Sequence, residues 1–463
     1  MTDLFKTYSP IDHSVYVERA FAREHEIHNA LTLAVRAEWN WRKLPLETRQ
    51  QYCSRAIDAL VAKKAIIAEE ICWQMGRPIQ YAEGEVHGLE ERARYMISIS
   101  DDALRTRPLP AKEGFIRYIK REPLGVALVI APWNYPYLTA VNAVIPALLA
   151  GNSVILKHSI QTPLVAERFA EAFFEADLPE GVFQYLHLTH KDTEKMIQSP
   201  EIQYVSFTGS VAGGKMVEQA AAGRFLQVGL ELGGKDPAYI RADADLDNAV
   251  ATVVDGAFFN SGQSCCGIER LYVHQDVYQE VIDKVVALTQ QYQLGRPDEL
   301  QTTLGPMVKA SSADFVRQQI QEALNDGAKT HIDERDFILD QPGSAYKAPQ
   351  ILTGVTHQMR IMTEESFGPV LGVMPVTSDE EAITLMNDCA YGLTAAVFTR
   401  DIEAGIVIGE QLETGTFFIN RCDYLDPALA WTGVKNSGRG CSLSNLGFDS
   451  LTRPKSFHLK QPE

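Results

Sequence analysis

Cysteine pairing is absent from this sequence: it has no C-x-x-C and no H-x-x-x-H. Its seven cysteines (Cys53, Cys72, Cys265, Cys266, Cys389, Cys422, Cys441) are odd in number and scattered over 463 residues. That spacing argues against a disulfide framework and a metal site and fits a reducing compartment. Positive charge is scarce, with Lys+Arg 43 against Asp+Glu 60 and a net charge of -17. Such a balance repels a phosphate backbone or an anionic membrane unless a basic patch is strongly localised, and no such patch occurs. Also missing are a fixed-period repeat, a low-complexity linker and a G-x-G-x-x-G fingerprint. The first residues mix Lys6, Asp12 and His13 with polar side chains and lack the apolar core of a signal peptide. The expectation is a cytoplasmic protein with no metal, no nucleic-acid partner and no membrane partner.

What remains is ordinary globular material, 45% hydrophobic and 22% charged, long enough for about two to four domains with large buried cores. Pro123 to Leu156 carries no charged residue and exceeds a membrane span in length. It also contains Pro132, Asn134, Pro136, Asn142 and Pro146, which would break a helix in a bilayer. The segment reads instead as strand, loop, helix, strand. Ahead of it, Ile11 to Glu91 reads as a helical lead-in, and Gly114–Pro123 alternates like an exposed strand. Beyond it come a helix opened by Thr162-Pro163 and strands at Val182–Leu186 and Tyr204–Phe207. A helix from Val211 and a strand Leu226–Leu230 complete a doubly wound parallel sheet of the nucleotide-binding kind.

After Gly233-Gly234 the alternation restarts. Helices are predicted at Leu246–Phe258, Val277–Tyr292, Ser312–Asp326, Ser378–Met386 and Asp401–Gln411. Strands are predicted at Leu271–Val273, Val370–Val376, Ala395–Thr399 and Gly415–Ile419. The fold class is therefore α/β, a Rossmann-like cofactor domain followed by a second α/β catalytic domain.

Several residues stand where chemistry is possible. Cys265 sits in Phe259-Asn260-Ser261-Gly262-Gln263-Ser264-Cys265-Cys266, a glycine-containing turn after a helix. A cysteine is more often a small buried hydrophobe, and reactivity needs a stabilised thiolate. Glu231, in Leu230-Glu231-Leu232-Gly233-Gly234-Lys235, ends an apolar strand where desolvation raises a carboxyl toward the range of a general base; the competing role is an ion pair with Lys235. Asn134 follows a buried strand and can donate to a developing oxyanion, although Asn before an aromatic and Pro is usually a turn residue. Gly209 and Gly214 follow a strand and open a helix whose N–H groups suit a pyrophosphate. Lys157, at a strand end, reaches toward a ribose or phosphate, or is simply solvated.

Taken in order, APWNYP, LK at 156–157, FTGS, LELGGK, FFNSGQSCC, EESFGPV and GVKNSGRG resemble the aldehyde dehydrogenase superfamily across nearly the whole chain. The most specific element is LELGGK followed about 34 residues later by GQ-x-C. The resemblance implies Cys265 as nucleophile, Glu231 as general base and Asn134 as oxyanion donor alongside the Cys265 backbone N–H. It implies Trp133, Lys157, Gly209, Ser210, Glu365 and Phe367 as contacts to NAD or NADP. Tyr135, Leu138, Asn142, the loop Asn420–Asp426 and Trp431 would line the substrate tunnel. Domains follow the same logic: 1–104 and 124–232 for the dinucleotide, 233–435 for catalysis, and 105–123 with 436–463 as a small β oligomerisation element of a homodimer or homotetramer.

Three positions depart from the family pattern. Ile160 stands where NAD-preferring members often carry Glu, leaving NAD against NADP open. Ala143 stands where a lysine is common, and Gly440-Cys441-Ser442-Leu443-Ser444 replaces a segment whose glutamate serves proton relay. The leading expectation is non-acylating oxidation of a small-molecule aldehyde to the acid. Acylation of coenzyme A is the alternative within the superfamily, against which Glu231 argues. A silent binding protein is the alternative outside enzymology, against which Cys265, Glu231 and Asn134 argue together.

Overall fold

A computed structural model describes residues 3–462. Its centre is a six-stranded sheet in the order Gly438–Arg439, Gln227–Glu231, Ile202–Thr208, Val126–Ala131, Ser153–His158, Phe183–Tyr185. All strands are parallel except the short Gly438–Arg439, which pairs antiparallel with Leu230 and Glu231. Val126–Ala131 and Ser153–His158 are buried at every position, as continuous apolar runs covered on both faces should be. The uncharged segment is thus two strands joined by the helix Pro136–Ala150, which ends at Gly151 in the left-handed region (φ 97). Among the described residues no helix is long and apolar enough to cross a membrane.

The second sheet has seven strands in the order Lys329–Thr330, Gln350–Thr353, Val370–Val376, Ile268–His274, Asp236–Ile240, Thr394–Phe398, Thr416–Ile419. Only the first of these pairs antiparallel. A third, antiparallel sheet joins Thr452–Lys460 to Phe115–Pro123 from Thr452↔Pro123 to Lys460↔Phe115, with Arg107–Pro108 on the far side.

Two expectations are corrected. The lead-in is not helical from Ile11, because Leu4–Tyr8 and Val15–Ala20 pair as a hairpin and the first helix begins at Glu24. Alternation decides it: Phe5, Thr7 and Val17 are buried while their neighbours point outward, and the Phe5 ring packs on Phe21 and His187. The alternation after Gly233-Gly234 restarts with a strand, Asp236–Ile240, and not with a helix. Asp236 and Pro237 look like loop residues, but the Asp236 carboxylate accepts from the Thr394 N–H (3.1 Å) and Oγ1 (2.6 Å), so its burial is compensated.

The sheets meet in opposite senses, and this positions the site. The six-stranded sheet presents the carboxyl ends of its parallel strands, which carry Asn134, Lys157, Gly209 and Glu231. The seven-stranded sheet presents amino ends, since Cys265 lies just before Ile268–His274 and Phe367 just before Val370–Val376.

Candidate active site

Cys265 is held by an unusual turn. Asn260 (φ 54), Ser261 (φ 57) and Gly262 (φ 69) are three consecutive residues in the left-handed region. A Cβ at Gly262 would stand 2.3 Å from the Gly368 carbonyl oxygen, so only glycine fits. Side chains fix the turn: Ser261 Oγ donates to the Gly305 carbonyl (2.8 Å), and the Gln263 amide donates to Asn260 and accepts from the Val308 N–H. Of the two adjacent thiols, Cys265 is partly exposed and Cys266 buried. The Cys266 thiol, burial and the Glu365 carboxylate all push the Cys265 thiol well above its ordinary value.

Cys265 and Glu231 line one cavity of about 140 Å³ with Arg92, Tyr135, Leu138, Asn142 and Trp431 among its walls. Burial raises the Glu231 carboxyl, opposed by hydrogen bonds from Ser442 and Thr208. The expected ion pair with Lys235 does not form. Lys235 is buried against Glu269 and Ser366, and the same Glu269 carboxylate accepts from the Ser366 and Phe367 N–H groups. That network holds the turn that carries Glu365 and Phe367.

Asn134 stands just outside the cavity wall, buried, with its Nδ2 donating to the Gln263 carbonyl (3.1 Å). Its own carbonyl accepts from Arg77 and Asn260, tying the Asn134 loop to the Cys265 turn. Arg77 pairs with Glu85, both fully buried, and Glu85 accepts from the Tyr137 and Leu138 N–H groups at the start of the Pro136–Ala150 helix. Sequence reading missed Arg77, Glu85 and Asn260, whose partners lie far away along the chain.

The expected tunnel is only partly the observed one. Tyr135, Leu138, Asn142, Asp423, Leu425 and Trp431 line the cavity, whereas Asn420, Arg421, Cys422, Tyr424 and Asp426 do not. Arg421 stacks on the Tyr424 ring at 4.0 Å, and Cys422 donates to the Thr252 carbonyl. Arg92 and Thr208, unexpected from sequence, are in the wall.

A thiol and a carboxyl from two α/β sheets facing one apolar cavity is an acyl-transfer arrangement, and the comparisons agree. The sequence profile described as Aldehyde dehydrogenase family matches residues 2–457. The chain belongs to the aldehyde dehydrogenase family. It is an oxidoreductase acting on aldehydes with NAD or NADP. The chain is 32% identical over 456 residues to "Succinate-semialdehyde dehydrogenase [NADP(+)]" of Mycobacterium avium (strain 104), covering 97% of this chain and 93% of that one. It is 32% identical to retinaldehyde dehydrogenase 3 of Mus musculus over 465 residues, 99% of this chain and 90% of that one. A similar solved structure is the NADP-dependent glyceraldehyde-3-phosphate dehydrogenase from Bacillus halodurans C-125 complexed with NADP. Its TM-score is 0.93 and its identity 31%, covering 99% of this chain and 96% of that one.

The residues expected around the dinucleotide of this dehydrogenase lie along the same crevice and fit such a ligand. Lys157 is nearly buried and has no hydrogen-bond or ion-pair partner among the described residues; burial lowers its ammonium to about 8. Such a group calls for an incoming hydroxyl or phosphate. Ser210 caps the helix Val211–Ala221 by accepting from the Gly213 N–H (3.2 Å), and the Gly209 N–H is already used by the Glu231 carbonyl (3.0 Å). Trp133 meets Phe367 edge-on at 5.7 Å. Glu365 accepts from the Gly234 N–H (3.0 Å), and burial with the Glu269 charge raises it to about 8. His158 is turned inward to the Pro136 carbonyl and Thr162, and burial lowers it to about 4, so it is neutral and offers nothing to a phosphate. Among the described residues no three His, Cys, Asp or Glu side chains gather as a metal site.

Proposed function

We propose that this dehydrogenase oxidises its aldehyde by nucleophilic catalysis at Cys265 and releases the acyl group to water. Attack of the Cys265 sulfur on the carbonyl carbon moves charge onto the carbonyl oxygen, where the Asn134 N–H not used by Gln263 donates together with the Cys265 backbone N–H. What the dinucleotide supplies when bound is a hydride acceptor. Glu231 then takes a proton from the water that cleaves the Cys265 thioester, giving the carboxylic acid and the free thiol. The carrying observation is Glu231 itself: a carboxyl raised by burial, in the same cavity as the thiol. Coenzyme A would make such a base superfluous. The test is absorbance at about 340 nm with an aldehyde and either dinucleotide, with and without coenzyme A. Turnover that needs no coenzyme A is expected, and a strict requirement for it would overturn the hydrolytic reading.

Lys157, Trp133, Gly209, Ser210, Glu365 and Phe367 are proposed to hold the dinucleotide, in residues 1–104 and 124–232, with the catalytic part in 233–435. Ile160 removes the carboxylate that would repel a 2′-phosphate. Two unit charges 4 Å apart interact by about 1 kcal/mol in water and about 4 kcal/mol at an effective dielectric of 20. Position 160 is 42% exposed and lies between those limits. NADP is therefore expected to be accepted, and Ile160→Glu to shift the kcat/KM ratio toward NAD by roughly 10- to 100-fold. A wild type more than about a thousandfold selective for NAD would assign the choice to other residues.

The protein is proposed to work in the cytoplasm as a homodimer or homotetramer. Support comes from the three-stranded sheet of segments 105–123 and 436–463, in which Thr452–Lys460 is an edge strand with no second partner among the described residues. Ile116 and Leu459 are exposed on it. Such an edge is usually covered, here by a second copy. Light scattering at micromolar concentration is expected to give at least a dimer mass, and a monodisperse monomer would refute it.

A further inference from the structure

We infer that Arg92 is the binding group for an anionic end of the substrate, and that this dehydrogenase prefers short aldehydes carrying a terminal carboxylate. The inference rests on the cavity assigned above and adds to it the class of aldehyde. Arg92 projects from the helix Gly84–Ala103 into the wall shared with Cys265 and Glu231, and it is about nine-tenths buried. Its Nη1 donates to the Leu138 carbonyl (3.0 Å) and the Asn142 amide oxygen (3.4 Å). Nε and Nη2 have no protein partner among the described residues, and neither is sealed away as a closed-off polar atom. They open onto the cavity.

No carboxylate neutralises this guanidinium. Glu85, the nearest in effect, is taken by Arg77 and the helix N–H groups, and Glu231 is bonded to Ser442 and Thr208. Arginine does not escape the cost of burial by giving up its proton, because its guanidinium keeps its charge in proteins. An unpaired buried charge that faces a ligand cavity is compensated when the ligand brings the counter-ion, and a planar carboxylate matches the two free N–H directions. The other walls are Leu138, Leu232, Leu425, Phe259 and Trp431, apolar surface suited to a short methylene chain. At about 140 Å³ the space falls below the roughly 300–1,000 Å³ of pockets that take drug-sized ligands. Asp423 also lines the cavity and would favour a cationic chain. Burial and the Asp255 charge push its carboxyl up, which weakens it as an anion while Arg92 keeps its charge.

The experiment compares kcat/KM for 4-oxobutanoate, butanal and 4-aminobutanal in the wild type, Arg92→Met and Arg92→Lys. In the wild type 4-oxobutanoate is expected to exceed butanal by about 100-fold or more. In Arg92→Met that ratio should fall at least about 30-fold, chiefly through KM, and Arg92→Lys should keep part of it. Loss of all three substrates by the same factor would make Arg92 a packing residue, and a wild-type preference for 4-aminobutanal would give the role to Asp423. Either overturns the inference. Calorimetric binding of succinate needs no turnover: binding to the wild type and its loss in Arg92→Met support the anion site, and equal affinity in both refutes it. This arm decides the matter even if the catalytic roles proposed for Cys265 and Glu231 fail.

Discussion

Cys265→Ala is expected to abolish aldehyde oxidation, lowering kcat by about 10⁴–10⁶, the scale on which removing a covalent nucleophile acts. The thiol forms the bond on which every later step depends, yet contributes little to holding the dinucleotide, whose affinity should stay within a few-fold by calorimetric titration. Cys266 provides the internal comparison. It is the buried thiol, 3.6 Å from Ser264 Oγ, and its side chain serves packing. Cys266→Ala should therefore cost a few-fold at most. An active Cys265→Ala beside an inactive Cys266→Ala would shift the nucleophile by one residue and with it the whole reading of the turn. The left-handed run Asn260-Ser261-Gly262 makes such a shift a sharp alternative, since it fixes which of the two sulfurs faces the cavity.

The residues legible in the sequence are those whose role is encoded locally. Cys265, Glu231 and Asn134 each end or follow a strand or turn whose composition announces it, and parallel strands bring such ends to one edge. The helix Leu246–Phe258 and the strand Val370–Val376 are readable to the residue because periodicity and capping agree there, with Asp245 accepting from the Asn248 N–H. What sequence does not announce depends on distant partners. Arg77 acquires its meaning from Glu85, Asn134 and Asn260, and Lys235 from Glu269 and Ser366; before folding each is one charge among many. The Glu231–Lys235 pairing is plausible by proximity along the chain, but the chain turns at Gly233-Gly234. A Cβ at Gly234 would stand 2.5 Å from the Cys265 carbonyl oxygen, so the backbones meet where the ion pair would have been. The strand Asp236–Ile240 escapes sequence reading for the same reason, since its polar start is satisfied by Thr394 from another strand.

Replacing Glu231 by Gln separates the two halves of the reaction. Hydride departure precedes thioester hydrolysis, so the variant is expected to give a burst of NAD(P)H of about one equivalent per site. Its steady turnover should then be slower by about 10²–10⁴, the range for loss of a positioned general base. The pH profile carries a second signature. Burial raises the Glu231 carboxyl above the ordinary carboxylate value, so on lowering the pH the base is protonated, and hydrolysis lost, at higher pH than for an exposed glutamate. The acid limb of wild-type kcat should therefore lie above the ordinary carboxylate range and vanish in Glu231→Gln, whose amide does not titrate. Ser442 and Thr208 donate to the carboxylate and work against the burial. Ser442→Ala should consequently move the acid limb further up while leaving a burst, which ties the profile to this carboxyl and not to Glu365 or Asp236. Ala143 and Gly440 lie beside Glu231 at a second, smaller cavity that Ser442 also lines, so no side-chain carboxylate or ammonium at those two positions replaces what Glu231 does. Absence of the burst in Glu231→Gln would instead put this residue at deprotonation of the Cys265 thiol, ahead of hydride departure, and its place in the reaction would move from the last step to the first.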